Sequence, residues 1–237
     1  MFDAKSLMDQ FLGGQSSPGS PQKGGGANFG AIGGIGGGAL AGGLAGLLTG
    51  SKKGRKLGKN ALTYGGMALL GGLAYKGWSD WRAGKQPPAA QTVSGADGAA
   101  FEAPPAGSPF MPPAEQQNGL GHTLMRAMIG ATKADGHIDA AEQQRIFKQV
   151  NDLGLDAEAK AFVMDELARP LDIDAIAAGA TCPETAAEIY TASLVAIDPE
   201  GLAEKAYLAN LASRLKLDPA LVQHLHANVN MAVAQAG

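Results

Sequence analysis

The chain has 237 residues, 35 of them glycine, and a formal net charge of −3 with a pI near 5.8. Its charge is unevenly distributed: residues 51–85 carry eight basic side chains and one acid, whereas residues 118–237 carry nine basic and sixteen acidic ones. An acidic balance without aromatic residues between the basic ones argues against nucleic acid as the main partner.

The first predicted elements are a flexible segment and a glycine-rich run. Residues 1–26 lack the cleavage pattern of a secretory signal peptide and are predicted to be flexible. Residues 30–50 contain ten glycines and no charge. In water these glycines oppose a helix by roughly 10 kcal/mol, whereas in a bilayer only a helix satisfies every backbone amide. Two interpretations follow, an unstructured linker or a membrane helix that packs through a stripe of small residues: Gly34, Gly38, Gly42, Gly46 and Gly50.

A second apolar run follows a basic turn at residues 51–59. Counting from Leu57 to Trp78 gives about 33 Å of helix, which matches a hydrocarbon core of about 30 Å. Trp78 and Trp81 then sit where an aromatic belt is expected. Residues 27–82 are therefore predicted to anchor the chain in a membrane, as one span or as a hairpin of two. The positive-inside rule favours a C-terminal part outside the cytoplasm, with the cytoplasmic side as the alternative.

The remainder of the chain is predicted to be a linker and a helical domain. Residues 83–117, rich in proline, alanine and glycine, are predicted to be disordered. From residue 118 the apolar spacing is helical, and no run alternates with the period of a strand, so residues 118–237 are predicted to form one all-α domain. Its helices are expected near residues 120–134, 139–155, 156–169, 173–177, 183–197, 201–215 and 219–233.

Two stretches of this domain match when Glu142 is aligned with Glu204. The apolar positions that follow and the end of each helix then fall in register. Upstream of these residues, Asp135 and Asp198 occupy similar places in the two preceding loops. We therefore predict two similar helical hairpins related by a pseudo-twofold axis, each contributing acids from its interhelical joint.

The same two stretches carry a resemblance to a known family. "KADGHIDAAE" and "AIDPEGLAEKAYLANLASRLKLDP" resemble the signature stretches of the tellurite-resistance TerB-like domain. A glycine-rich basic segment and a membrane helix before such a domain are similar to the YebE-like inner-membrane protein family of bacteria. The resemblance implies a seven-helix bundle with an acidic patch that binds a divalent cation such as Ca²⁺. Carried onto matching positions, it implies these ligands: Asp135, Asp139, Glu142, Asp198 and Glu204. Because the second joint reads "DPEG", Glu200 is an alternative to Asp198.

Carboxylates from facing loops suit a hard divalent cation, which takes six to eight oxygen ligands. Helix capping accounts equally well for Asp139 and Glu142, and a turn before glycine accounts for Asp135. His224 and His226 lie two apart on a predicted helix and hence on different faces, which argues against a zinc site. Converging acids repel one another, so an acidic patch is expected to meet either an ion or a basic partner.

Three classes of function remain at this point. The first is a membrane-anchored binding module that binds a divalent cation and recruits a protein partner. The second is an enzyme, but the sequence contains no catalytic constellation and no motif for an organic cofactor. The third is a structural envelope protein that forms homo-oligomers through its glycine-rich helices. Cys182, the only cysteine, excludes an intramolecular disulfide and is expected at a helix start.

Overall fold

A computed structural model describes residues 66–88, 102–134 and 157–236, together with residues 4, 8, 52–54, 56 and 57. The regular structure of these residues is entirely helical, which confirms the predicted all-α class. The longer helices, in chain order, are α1 Gly66–Arg82, α2 Ala114–Thr132, α3 Ala157–Ala168, α4 Ile173–Ala177, α5 Pro183–Ala196, α6 Leu202–Arg214 and α7 Pro219–Gln235.

Helix α5 forms the centre of the core. Every residue from Thr185 to Ala196 is buried. This helix carries small or apolar side chains on all of its faces, so each face can pack against a neighbouring element. It contacts α1, α2, α4, α6 and α7. Its start is fixed by Cys182 at the N-cap and Pro183 in the first turn, where the missing proline N–H costs nothing.

The predicted ends of the last four helices are confirmed to within two residues. Asp172 and Asp218 cap α4 and α7 by accepting hydrogen bonds from the backbone N–H groups of Ala175 and Ala220. Helix α6 ends in a Schellman turn, in which Leu217 N donates to the carbonyl oxygen of Ala212 at 3.0 Å. This turn places Lys216 at a φ of 54°, a conformation that usually belongs to glycine.

Helix α1, the later part of the second apolar run, packs against α5 and α7. Leu69, Leu70 and Leu73 are fully buried there. Asn228 of α7 donates a hydrogen bond to the carbonyl oxygen of Leu73 at 2.8 Å. At Gly77 a Cβ atom would lie 3.4 Å from Cα of Leu225, so glycine permits the two helices to approach closely at this point.

This packing differs from the prediction that residues 57–78 form a membrane span. The described part of the run is a 17-residue helix inside the core of the helical domain. Among all described residues, no helix combines the length and the apolar character needed to cross a membrane. The domain core therefore extends beyond the predicted boundary at residue 118 to include α1.

The structure also differs from the prediction of a disordered linker at residues 83–117. Residues 102–113 lead into α2, which begins at Ala114 rather than near residue 120. Phe110 is buried, with ring centroids 5.6 Å from Tyr75 and 6.2 Å from Trp78 of α1. The aromatic residue of this loop is thus an anchor for the chain, because it finds apolar partners on α1.

Two predicted features lie outside the described residues. These are the glycine stripe from Gly34 to Gly50 and the first stretch of the internal repeat, at residues 135–156. The helix-packing role of the stripe, the pseudo-twofold repeat and the seven-helix TerB-like arrangement stay predictions.

Buried polar groups connect the helices of the core. The hydroxyl of Ser193 on α5 donates to the carbonyl oxygen of Ala127 on α2 at 3.2 Å and lies 3.1 Å from the hydroxyl of Tyr207 on α6. Burial raises the pKa of Tyr207 to about 12. Glu188 on α5 is also buried, but its Oε2 has no hydrogen-bond partner among the described residues.

Candidate functional site

Three carboxylates lie at the connection between α5 and α6, which we call the acidic joint (Asp198, Glu200 and Glu204). The backbone leaves α5 in an extended conformation at Ile197, and Gly201 forms the N-cap of α6 without a side chain. The carboxylate of Glu204 folds back over Gly201, where a Cβ atom would collide with its Oε2. A negative charge at this end of α6 is favourable, because the helix dipole is positive there.

The acidic joint is in contact with residues 51–59, which the sequence predicts to form a basic turn. The described residues of this segment, 52–54, 56 and 57, are helical instead, and we keep the name basic turn for the segment. The backbone N–H of Lys52 donates to Oδ2 of Asp198 at 2.6 Å, across 146 residues of sequence. The ammonium of Lys52 lies 3.9 Å from Oε1 of Glu200, and both side chains are largely exposed. Pairs as exposed as this one contribute little on their own. The hydrogen bond from the backbone of Lys52 to Asp198 therefore fixes the position of the basic turn more firmly than the ion pair with Glu200 does.

Lys53 extends this contact toward the core. Burial lowers the pKa of its ammonium, while the charge of Asp198 acts in the opposite direction. Burial and the neighbouring Lys53 also lower the pKa of His226. Nε2 of His226 lies 2.8 Å from the hydroxyl of Tyr190, so the imidazole is held by α5. The basic turn thus meets a surface formed by the acidic joint and α7.

The five predicted metal ligands fall into two groups. Asp135, Asp139 and Glu142 lie outside the described residues. Asp198 and Glu204 lie at the same joint, with Asp198 bonded to Lys52 and Glu204 over the start of α6; their role as metal ligands stays a prediction. Within the described ranges, no three or more aspartate, glutamate, histidine or cysteine side chains are grouped closely enough to hold a metal ion.

Histidine and cysteine positions agree with their predicted environments. His224 is buried on α7, whereas His226 faces Tyr190, so the two imidazoles lie on different faces. Cys182 caps α5, where its sulfur accepts a hydrogen bond from Thr185 N at 3.5 Å. Its side chain is half-buried.

A charged cluster that the sequence does not predict lies between α2 and α3. The buried carboxylate of Glu166 accepts hydrogen bonds at one oxygen from Arg126, at 3.0 Å, and from Arg169, at 2.6 Å. The ammonium of Lys133 donates to the carbonyl oxygens of Glu166 and Arg169 at 2.5 and 2.8 Å. No local motif marks this cluster as a whole, because Arg126 and Lys133 lie 33 to 40 residues before Glu166. For the acidic joint, in contrast, the uneven distribution of charge along the chain indicates a basic partner, the basic turn.

Comparison with known proteins identifies the family. A family model described as "Protein of unknown function (DUF533)" matches residues 34–229. The chain belongs to the DUF533 family. It is also similar to a Yersinia enterocolitica protein described as "Uncharacterized protein in ampR 5'region", with 31% identity over 94 residues, which cover 40% of this chain and 68% of that protein. No solved structure matches the chain.

Proposed function

We propose that this DUF533 member is a membrane-anchored binding module of the TerB-like type, not an enzyme, and that its acidic joint binds cationic groups. The observation that carries the proposal is the contact of Lys52 with Asp198 and Glu200. A basic segment of the chain itself occupies the carboxylates that the sequence analysis assigned to a cation. The association of DUF533 with TerB-like domains supports the same assignment.

The proposed ligand is a divalent cation such as Ca²⁺, with a basic protein segment as the second kind of occupant. A calcium ion needs six to eight oxygen ligands, more than Asp198 and Glu204 supply. The proposal therefore includes Asp135, Asp139 and Glu142 of the first repeat. The N–H of Lys52 occupies Oδ2 of Asp198, so an ion that binds this oxygen competes with the basic turn, whereas Oδ1 offers a second position for it.

The proposed anchor is the charge-free glycine run at residues 30–50. In a bilayer this run is expected to be helical and to pair with a second helix through Gly34, Gly38, Gly42, Gly46 and Gly50. We place the protein in the bacterial inner membrane, with the helical domain on the periplasmic side. Homo-oligomers through the glycine stripe follow from the same packing.

Thermal unfolding of the full-length chain tests the acidic joint. Melts are recorded with millimolar calcium, magnesium or chelator for the wild type and for Asp198→Asn and Glu204→Gln. A ligand at one hundred times its Kd stabilises the folded state by about 2.7 kcal/mol, so the wild-type Tm should rise by several degrees. Both variants should lose most of this rise, because each removes one ligand charge.

Asp174→Asn is the matched control, because Asp174 is an exposed acid paired with Arg214 on another surface. This variant should keep the full response to calcium. Identical wild-type curves in all three solutions would reject a cation site, and an equal loss in Asp174→Asn would show a nonspecific charge effect.

Carbonate extraction of membranes tests the anchor independently. The full-length chain should stay in the membrane pellet, and a chain from which residues 30–50 are deleted should move to the supernatant. A full-length chain that washes off would refute the anchor and favour the interpretation of this run as a linker.

A further inference from the structure

A cavity of about 370 Å³ lies between α2, the C-terminal end of α3 and α4. Three cationic side chains line it: Arg126, Lys133 and Arg169. Its apolar wall includes Leu171 and Ile176. Gly130 brings α2 close to α4 at this wall, since a Cβ atom there would collide with the side chain of Ile176.

Among the described residues that line this cavity, the cationic side chains exceed the carboxylates by one. Glu166 and Asp172 also line it. The single oxygen Oε1 of Glu166 accepts from both guanidinium groups. Asp172 is committed to the N-terminus of α4 through its bond from Ala175 N at 2.9 Å. Lys133 donates to carbonyl oxygens, which carry no net charge to neutralise it.

Toward the described part of the chain, the two guanidinium groups use few of their donors. Each guanidinium carries five N–H groups, and Arg126 and Arg169 each donate one hydrogen bond to the described residues. Their side chains are 40% and 60% exposed, so the remaining donors are reachable from solvent. The carboxylate of Glu166 is 8% exposed and holds both groups at the same edge of the cavity.

We propose that this cavity binds a small organic carboxylate through Arg126 and Arg169. The planar fork of a guanidinium matches the two oxygens of a carboxylate. One negative charge balances the excess charge of the cavity, and a short aliphatic body fits against Leu171 and Ile176. The site shares no residue with the acidic joint. A negative result at one of the two sites therefore does not bear on the other.

Calorimetric titration of the full-length chain with butyrate tests this site. Inorganic phosphate and chloride are titrated at the same ionic strength, to separate a carboxylate from oxyanions in general and from simple charge. Saturable binding of butyrate that exceeds the binding of chloride is expected. Binding of phosphate equal to or tighter than that of butyrate would overturn the assignment to a carboxylate.

Arg169→Gln should weaken butyrate binding by roughly tenfold or more, since it removes a charged donor. Arg214→Gln is its matched control: the Arg214 side chain is 58% exposed and makes one ion pair at 2.7 Å, close to the 60% and 2.6 Å of Arg169. The control should bind butyrate with unchanged affinity. Equal weakening in both variants, or no saturable binding by the wild type, would overturn the site.

A second variant distinguishes a ligand site from a purely structural network. Glu166→Gln removes the negative charge that opposes an incoming anion, while its amide oxygen still accepts from the two arginines. Butyrate affinity should therefore rise, even though the Tm falls. If this variant fails to fold, Arg126→Gln replaces it, with a loss of affinity like that of Arg169→Gln. Unchanged affinity in the folded variants would show that the network is structural only.

Discussion

Replacing Glu188 by glutamine should change how the stability of the domain depends on pH. Glu188 is 1% exposed on the central helix, and its Oε2 has no hydrogen-bond partner among the described residues. Burial alone raises the pKa of this carboxyl well above its ordinary value of 4.5. The folded chain therefore keeps a proton on Glu188 at pH values where the unfolded chain has lost it.

The sign of the effect follows from the bound protons. Above pH 4.5 the folded state holds more protons than the unfolded state, so the free energy of unfolding falls as the pH rises. The fall continues up to the raised pKa, with a limiting slope of about 1.4 kcal/mol per pH unit. Between pH 5 and pH 6 this group should therefore lower the free energy of unfolding, by at most that limiting slope, since the unfolded chain is still partly protonated at pH 5.

Urea denaturation of the full-length chain at pH 5 and pH 6 measures this loss. Glu188→Gln has no proton to release, so its stability relative to the wild type should increase from pH 5 to pH 6. Glu184→Gln, which removes the same charge nearer the start of α5 at a half-exposed position, is the control. Parallel profiles for the wild type and Glu188→Gln would refute the reasoning.

Four substitutions test the packing. Gly71→Ala should destabilise the domain by about 1–3 kcal/mol, because its Cβ would collide with the carbonyl oxygen of Phe110; urea denaturation with an unchanged midpoint would contradict this. Gly119→Ala, the matched change at an exposed position of α2 with nothing within 4 Å, should stabilise by up to about 1 kcal/mol in the same assay. Phe110→Ala should cost about 3 kcal/mol, and a loss below the error of the fit would mean that the loop does not anchor on α1. Lys216→Gly should raise the Tm, because glycine relieves about 1 kcal/mol of strain at positive φ; a lower Tm would argue against this turn.

The sequence predicts the later helices well because their ends are local. Asp172 before α4, and Asp218 with Pro219 at α7, set those boundaries through caps and a fixed φ, without help from distant residues. The position of α1 in the core, in contrast, depends on residues that are distant in the sequence. Its leucines and glycines suit a bilayer and a protein core equally, and only contacts such as that between Asn228 and Leu73 distinguish the two.

The same distinction applies to the candidate site. Asp198 and Glu204 are near one another in the sequence and lie beside the start of α6, so a sequence pattern can bring them to one joint. The sequence also predicts that converging acids need a cation or a basic partner, but it does not pair Asp198 with Lys52, which lies 146 residues away. The anchoring role of Phe110 is not predicted either, because an isolated aromatic residue in a proline-rich stretch belongs to no periodic pattern.

The pairing of α1 with α7 also has a consequence for biosynthesis. Leu73 and Asn228 are separated by 155 residues, so at about 5–20 residues per second roughly 8–30 s pass between their synthesis. Throughout that interval Leu69, Leu70 and Leu73 are on a nascent chain whose final helix does not yet exist. Phe110 and α5, which also pack against α1, are synthesised before α7. The order of translation therefore gives α1 its first partners within the chain before α7 exists.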